Sequence, residues 1–466
     1  MTLQDTTECL GSAPLDKLII KLSLPSMVSM ITLALYSIID TFWLGQLGYQ
    51  AIAALTVIMP YHVFIIAVSV GSGIGVNALT SRRFGERNIA LTNHIVGHIF
   101  IISGVLGAIF LIAAVFFSEF ILNISGVTPD IITQATEYLT CFGYGVPFSI
   151  FAIVAANLLR ASGDAFQPMV FMIAAAVINI ILDPFLIMGI SPFPEMGVRG
   201  AALATVISQA IGAGMSFYYI LFRKSVYRIG WRHLRPGIKI LRDIYRVGLP
   251  SMVMEVTESV VFALFNNILA SFGSLYLAAV GITVRIADLA FMPMFGASQG
   301  LLPIIGFSFG AGLWKRLWRA VLFSSGGLAL LMGLATIILE VFAPQLIAIF
   351  NDAPELLAVA VPAMRIVCST LVIVGPTILV VTTFQGLSRG MAAMLLSLIR
   401  QFVFFVPLLF LLHENLGITG VWLSLPISDI LAFIVSGLWL FREYHMQKQK
   451  FAPDIPPAIN GLGGSD

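Results

Sequence analysis

Two aspartates frame the chemistry open to this chain. Asp40 lies in Leu35-Tyr36-Ser37-Ile38-Ile39-Asp40-Thr41-Phe42-Trp43, and Asp183 in Asn179-Ile180-Ile181-Leu182-Asp183-Pro184-Phe185. Both interrupt long apolar runs, and the basic residues flanking Asp40 are as distant as Lys21 and Arg82. Each acid has a polar companion four residues earlier, Tyr36 and Asn179, and on a helix such pairs share a face. Two carboxylates brought together in a low-dielectric space cannot both stay charged cheaply, so one binds a proton or a cation enters between them. Oxygens from Asp40, Asp183, Asn179 and Thr205 suit a small hard cation, with Tyr36 and Tyr138 expected at a matching depth. A proton needs only one carboxylate. A buried polar cluster that merely satisfies itself is the plainer alternative.

Other motifs carry less. His94 and His98 are spaced i,i+4, but no Cys, Asp or Glu stands at companion spacing, and an interfacial position explains them. Gly71-Ser72-Gly73-Ile74-Gly75 is a fragment of a phosphate loop with no strand before it and no Lys after it; close helix packing by small residues fits better. No nucleotide-binding, Ser/His/Asp or metalloprotease pattern is present. Cys9, Cys141 and Cys368 are an odd number without paired spacing, which indicates neither a disulfide framework nor a metal cluster. No cofactor is expected.

The elements that hold the aspartates must be membrane helices. The chain is 59% hydrophobic and 10% charged, with a mean hydropathy of +0.98, whereas soluble domains carry about 25% charged residues. A net charge of +2 gives no reason to expect a nucleic-acid partner. Runs of about 20 apolar residues cross a bilayer, and twelve are expected, near 18–44, 51–79, 94–117, 131–158, 166–189, 200–222, 244–270, 276–303, 318–342, 356–385, 392–414 and 418–442. With the N-terminus inside, Lys17, Lys21, Arg82, Arg83, Arg87, Arg160, Lys315, Arg316, Arg319, Arg389, Arg442 and Lys448 face the cytoplasm. The other side collects Glu119, Asp130, Glu137, Glu195, Glu340, Asp352, Glu355 and Glu414. That separation obeys the positive-inside rule and places both termini in the cytoplasm.

The stretch RKSVYRIGWRHLRPGIKILRDIYR, 223–246, is basic and reads as a helix lying on anionic lipid. It joins two copies of one pattern. At an offset of 225, Leu249-Pro250-Ser251-Met252-Val253 falls on Leu24-Pro25-Ser26-Met27-Val28, Gly273 on Gly48, Gly300 on Gly75, and Phe309-Gly310 on Phe84-Gly85. Six spans per copy make a parallel repeat about an axis along the membrane normal. The expected division is a tail 1–17, an N-lobe 18–222, a basic linker 223–243, a C-lobe 244–442 and a tail 443–466. Pro25 and Pro250 lack an amide donor and can kink the first helix of each half.

Chemistry is best sought where the copies differ. Asp40 falls on Phe265, while Glu255 and Glu258 replace Met30 and Leu33. Arg285 and Asp288, three apart on one helical face, read as a self-satisfying pair. With Glu255 and Glu258 they would form a C-lobe polar network. Asp429 has no evident partner, and only Arg285 among the basic residues reads as deeply placed.

The chain resembles the MATE (multidrug and toxic compound extrusion) family. The resemblance rests on Pro25 and Asp40 in the first span, Asn179-x-x-x-Asp183-Pro184 in the fifth, Gly197-x-x-Gly200-Ala-Ala-x-Ala-Thr205 entering the sixth, and Arg160-Ala-Ser-Gly-Asp164 after the fourth, and it covers about 15–445. It implies an all-α membrane protein of two pseudo-symmetric six-helix lobes in a prokaryotic cell membrane. It further implies an H+- or Na+-coupled antiporter, expected as a monomer, that exports amphipathic and often cationic small molecules.

Within the family the chain is similar to the DinF-like branch, whose N-lobe cation cluster matches Tyr36, Asp40, Tyr138, Asn179, Asp183 and Thr205. Asn157 matches a family asparagine nearer the inner end. The NorM-like branch uses a helix-7 glutamate, matched by Glu255, with a helix-10 aspartate that this chain lacks. Pro25 would serve as a helix-1 hinge, and Met27, Met30, Phe64 and Met172 as a soft substrate pocket. The alternatives are a lipid-linked oligosaccharide flippase of the same superfamily, whose basic central cavity is missing here, and a membrane-embedded transferase, whose Asp- or His-rich motifs are absent.

Overall fold

The structure is a computed structural model that describes residues 9–191, 193–222, 227 and 230–448. Residues 1–8 and 449–466 of the expected tails, residue 192, and linker positions 223–226, 228 and 229 lie outside the described residues.

The apolar runs fold as helices because a backbone in lipid must satisfy its own hydrogen bonds. They are α1 (Leu15–Gly45), α2 (Tyr49–Gly85), α3 (Ile89–Phe116), α4 (Ile132–Ala161), α5 (Phe166–Met188), α6 (Gly197–Phe222), α7 (Ile238–Ala270), α8 (Ser274–Gly310) and α9 (Trp314–Val341). Then follow α10 (Pro354–Cys368) and α11 (Leu371–Gly386), bent by 46° at their junction. Last come α12 (Gly390–Leu398), a π-helical stretch Ile399–Phe405, and α13 (Val406–Lys448). Short helices Ser118–Ile124 and Ala343–Ala348 lead out of α3 and α9. Among the described residues ten helices are long and apolar enough to cross a membrane, and the bent pair α10–α11 adds an eleventh. The run Gly390–Lys448 counts as one of the ten at 59 residues. It is interrupted inside α13 by Gly417, at φ 57° and ψ −136°, a backbone that side-chain-bearing residues rarely adopt.

The linker differs from the expected surface helix. Ahead of Ile238 its described part holds a 3-10 turn, Trp231–Leu234, packed against α3. Gly97 of α3 lies so close to the His233 carbonyl that no side chain would fit between them. The Gly237 N–H donates to His98 Nε2 at 2.8 Å, and His98 Nδ1 lies 2.7 Å from the His94 carbonyl. That second bond explains the histidine pair structurally. Helix α7 starts at Ile238, so the end of the expected linker is helical.

The internal repeat is visible in the packing. Helix α2 packs on α7, and its counterpart α8 packs on α1. Gly85 abuts the Phe307 carbonyl while Gly310 abuts the Arg82 carbonyl, the same contact carried by the offset of 225. Gly71 meets Met252 and the Gly248 carbonyl, and Gly296 meets Ser26 and Met27 in the same manner. Backbone approaches this close need residues without a Cβ. Polar contacts join the halves at the same end: Ser23 Oγ to the Ala297 carbonyl at 3.4 Å, Ser72 Oγ to Tyr245 OH at 3.3 Å, and Arg83 to Asp243 at 3.4 Å. Toward the other end, a Cβ at Gly48, Gly273 or Gly281 would meet nothing within 4 Å.

Candidate functional site: a two-aspartate chamber

Three helices assemble the chamber. Helix α1 carries Tyr36 and Asp40 into its last turns, α5 carries Asn179 and Asp183, and α6 brings Thr205. The α5–α6 return is tight. Gly189 caps α5 at φ 69°, and the Met196 N–H donates to the Leu186 carbonyl at 3.0 Å. Gly200 then passes so close to that carbonyl that a Cβ would collide. The small buried residues Gly200, Ala201, Ala202 and Ala204 thus let α6 lie directly on α5, which sets Thr205 beside Asn179.

Asp40 is 8% exposed, Asp183 and Asn179 0%, and Thr205 and Tyr138 2%. Tyr36 OH lies 3.3 Å from Thr205 Oγ1. With its amide oriented to satisfy both ends, Asn179 donates to Asp183 Oδ2 at 3.0 Å and accepts from the Thr205 N–H at 3.3 Å. Asp40 Oδ1 and Asp183 Oδ1 are buried without a hydrogen-bond partner. The two carboxylates lie within electrostatic reach of each other, and Tyr36 and Tyr138 feel both. Neither acid forms an ion pair among the described residues. The donor set is therefore oxygen-rich, anionic and dry, which is the chemistry a small hard cation or a proton requires. Among the described residues no group of three or more His, Cys, Asp and Glu suits a transition metal.

The other expected residues are placed less compactly. Pro25 sits inside α1, which continues through it unbroken. Met27 packs its backbone on Gly296, and Met30 Sδ accepts weakly from Gln299 Nε2 at 3.9 Å, so both line the joint between halves. Phe64 is 53% exposed and Met172 half-buried. Asn157 is buried near the C-terminal end of α4, donating to the Ile153 carbonyl at 3.1 Å.

The expected Arg285–Asp288 pair does not form. Both side chains are exposed and no ion pair joins them, because their shared helical face turns to an open space rather than into packing. Glu258 is also exposed and Glu255 half-buried.

Two features went unseen in the sequence. The His62 ring of α2 packs at a tilt against Phe142 and Tyr138, with centroids 4.2 Å and 6.5 Å away, and its Nε2 is buried and unpartnered. Asp429 does have a partner: Arg400 donates from Nε to its Oδ1 at 2.8 Å, and Thr370 Oγ1 donates to Oδ2 at 3.1 Å. The cation held against a buried acid in this half is therefore Arg400, and Arg285 is exposed. The signal was present, since Arg400 is the one charge in the run 392–412.

Comparison with known proteins agrees with this architecture. The chain is 26% identical to a FAD transporter of Shewanella oneidensis over 420 residues, covering 90% of this chain and 93% of that protein. It is 27% identical to the multidrug export protein MepA of Staphylococcus haemolyticus over 421 residues, covering 90% and 92%. A solved structure described as the outward-facing conformation of a multidrug resistance MATE family transporter superposes with a TM-score of 0.90 at 27% identity, covering 95% and 98%. A transporter of the MOP superfamily from Pyrococcus furiosus, described as having a binding pocket of reverse polarity, superposes with a TM-score of 0.89 at 27% identity, over the same shares. The MatE family profile matches twice, over residues 25–185 and again over residues 250–411, once per copy of the repeat, and the chain belongs to this family of membrane transporters.

Proposed function

We propose that the protein exports small amphipathic organic compounds in exchange for H+ or Na+ bound at Asp40 and Asp183. The observation that carries this reading is the pair of buried carboxylates, each with an unpartnered oxygen and neither with a positive partner among the described residues. An ionised acid at mid-membrane costs about 2.5–3.5 kcal/mol on insertion scales, so a dry pair is retained where its charge is put to use. Coupling follows reciprocal linkage: if the cation and the substrate oppose each other's binding, entry of one promotes release of the other. Pro25 lies between the contacts that Ser23 and Met27 make with α8, a position from which a bend in α1 would reach both the chamber and the joint. The N-lobe placement of the cluster favours the DinF-like branch. Glu255 without a helix-10 acid counts against a NorM-like site.

The same reading takes twelve spans in two six-helix lobes with both termini in the cytoplasm. A straight helix of 59 residues would be about 88 Å long at 1.5 Å per residue, nearly three times a hydrocarbon core of about 30 Å. The turn at Gly417 lets Gly390–Lys448 cross twice. With the basic ends inside, the close joint between halves lies at the cytoplasmic end, and the looser end at Gly48, Gly273 and Gly281 faces outward. We assign the protein to a prokaryotic cell membrane as a monomer.

The test is flux in proteoliposomes under separately imposed proton and sodium gradients. The panel should hold lipophilic cationic drugs and FAD, since the relatives are named a multidrug export protein and a FAD transporter. The parent should export at least one class under one gradient, and Asp40→Asn or Asp183→Asn should abolish the gradient dependence. Either variant, correctly inserted and still driven at the parental rate, would end this proposal.

A further inference from the structure

Three departures from regular helix converge in the second half of the chain. Helices α10 and α11 meet at a 46° bend across Ser369 and Thr370. The stretch Ile399–Phe405 is π-helical, a rare geometry that concentrates at functional positions. Asp429 stands on α13 beyond the Gly417 turn. One cluster of side chains ties all three. Arg400 reaches Asp429 Oδ1 with both Nε and Nη2 at 2.8 Å, and Thr370 donates to Oδ2 at 3.1 Å.

Thr370 occupies the N-cap position of α11, where a threonine hydroxyl ordinarily accepts from the backbone of the first turn. Here it makes no cap and holds the carboxylate instead. Helix α11 gives up its cap, and α12 continues into a seven-residue π stretch, in the places where Asp429 is gripped. Asp429 and Thr370 are 7% and 8% exposed. The Arg400 side chain keeps 31% exposure and feels Glu258 of α7 as its next acid.

We propose that Arg400, Asp429 and Thr370 form a latch that fixes the α10–α11 bend and couples it to α12 and α13 as the second half moves during transport. In this role Arg400 is a positioning residue that touches no substrate. A buried pair kept only for packing could be replaced by apolar residues with little effect, because paired charges and well-packed hydrophobes are often equivalent in stability. A latch could not, because its three-way geometry would be lost.

The inference rests on the transport reading, so its test includes a measurement independent of flux. In a background with Cys9, Cys141 and Cys368 replaced, spin labels at Ala358 of α10 and Val381 of α11 report the bend as a distance distribution. The parent should give one narrow distribution. Asp429→Asn and Thr370→Val should at least double its width, and the apolar pair Arg400→Met/Asp429→Leu should fold yet stay broad. Arg400→Lys, which keeps the charge but not the two-pronged grip, should fall between.

In proteoliposomes Asp429→Asn and the apolar pair should lower maximal rate at least tenfold with KM changed less than threefold. Parental width, or parental flux despite a broadened bend, in the apolar pair would overturn the latch. If Asp429→Asn does not fold, the apolar pair alone decides. A parent that transports nothing while its bend still narrows and broadens as stated would count against the transport reading and not against the latch's geometry.

Discussion

The joint between the halves offers the sharpest quantitative test. A methyl group at Gly85 would lie 2.7 Å from Ala311 N and closer still to the Phe307 carbonyl oxygen, while one at Gly310 would lie 2.9 Å from the Arg82 carbonyl carbon. Those neighbours are backbone and cannot rotate away, so Gly85→Ala or Gly310→Ala must push α2 and α8 apart. Overpacking of this kind costs about 1–3 kcal/mol. The two glycines share one crossing, so the double variant should cost less than the sum. Because the clash exists only when the joint is closed, the cost falls on that state and shifts the ratio of closed to open forms by about 5–150-fold.

A reporter is available in Ser81 of α2, which is fully buried and faces Gly306 of α8. As the single cysteine in a chain lacking Cys9, Cys141 and Cys368, Ser81→Cys should react slowly with a bulky maleimide in detergent, where both faces are accessible. In the Gly→Ala variants the rate should rise in step with the population shift. A folded variant whose labelling rate stays within twofold of its control would refute the claim that the halves separate at this joint.

Two further outcomes follow from backbone and burial. Gly417→Ala forces a side chain onto a φ of 57° with ψ −136° and should lower thermal stability by about 1–3 kcal/mol, read as an earlier unfolding transition in detergent. Asp40→Asn and Asp183→Asn should do the reverse in cation-free buffer near neutral pH. Each removes an uncompensated buried carboxylate and should stabilise the fold by up to about 3 kcal/mol, with the sodium- or proton-dependence of the melting point lost. Melting below the parent in both variants would show that the carboxylates are satisfied from within the chain.

Much of the architecture was legible because hydropathy and repeat periodicity act along the chain. The offset of 225 anticipated which glycines would mirror each other, and the i,i+4 spacing anticipated that Asn179 would meet Asp183 on one helical face. What failed depended on contacts distant in sequence. Arg285 and Asp288 satisfy the local rule for a helical pair, yet an exposed face gives them no dry environment in which to close. Arg400 and Asp429 belong to separate elements, and the turn at Gly417 and the π-helical stretch decide their meeting. No period in the sequence encodes either. The linker's shape was not legible because basic composition reports proximity to lipid and not local fold, whereas packing on α3 depends on Gly97 leaving room for His233.

The two halves share a scaffold and divide the charges unequally, and that inequality yields the final prediction. In the second half Asp429 is compensated by Arg400, and Glu258 and Asp288 are exposed rather than enclosed by the protein. Asp40 and Asp183 combine burial with the absence of a counter-charge among the described residues, so an entering cation gains most there. Glu255 is the intermediate case, half-buried and without an ion pair. If burial and missing compensation together select the coupling site, Glu255→Gln should keep the gradient dependence of flux and change the apparent affinity for cationic substrates at most. Asp183→Asn should lose the gradient dependence altogether. The opposite pattern, with coupling lost in Glu255→Gln and retained in Asp183→Asn, would move the site to the second half and leave the dry aspartates as scaffold.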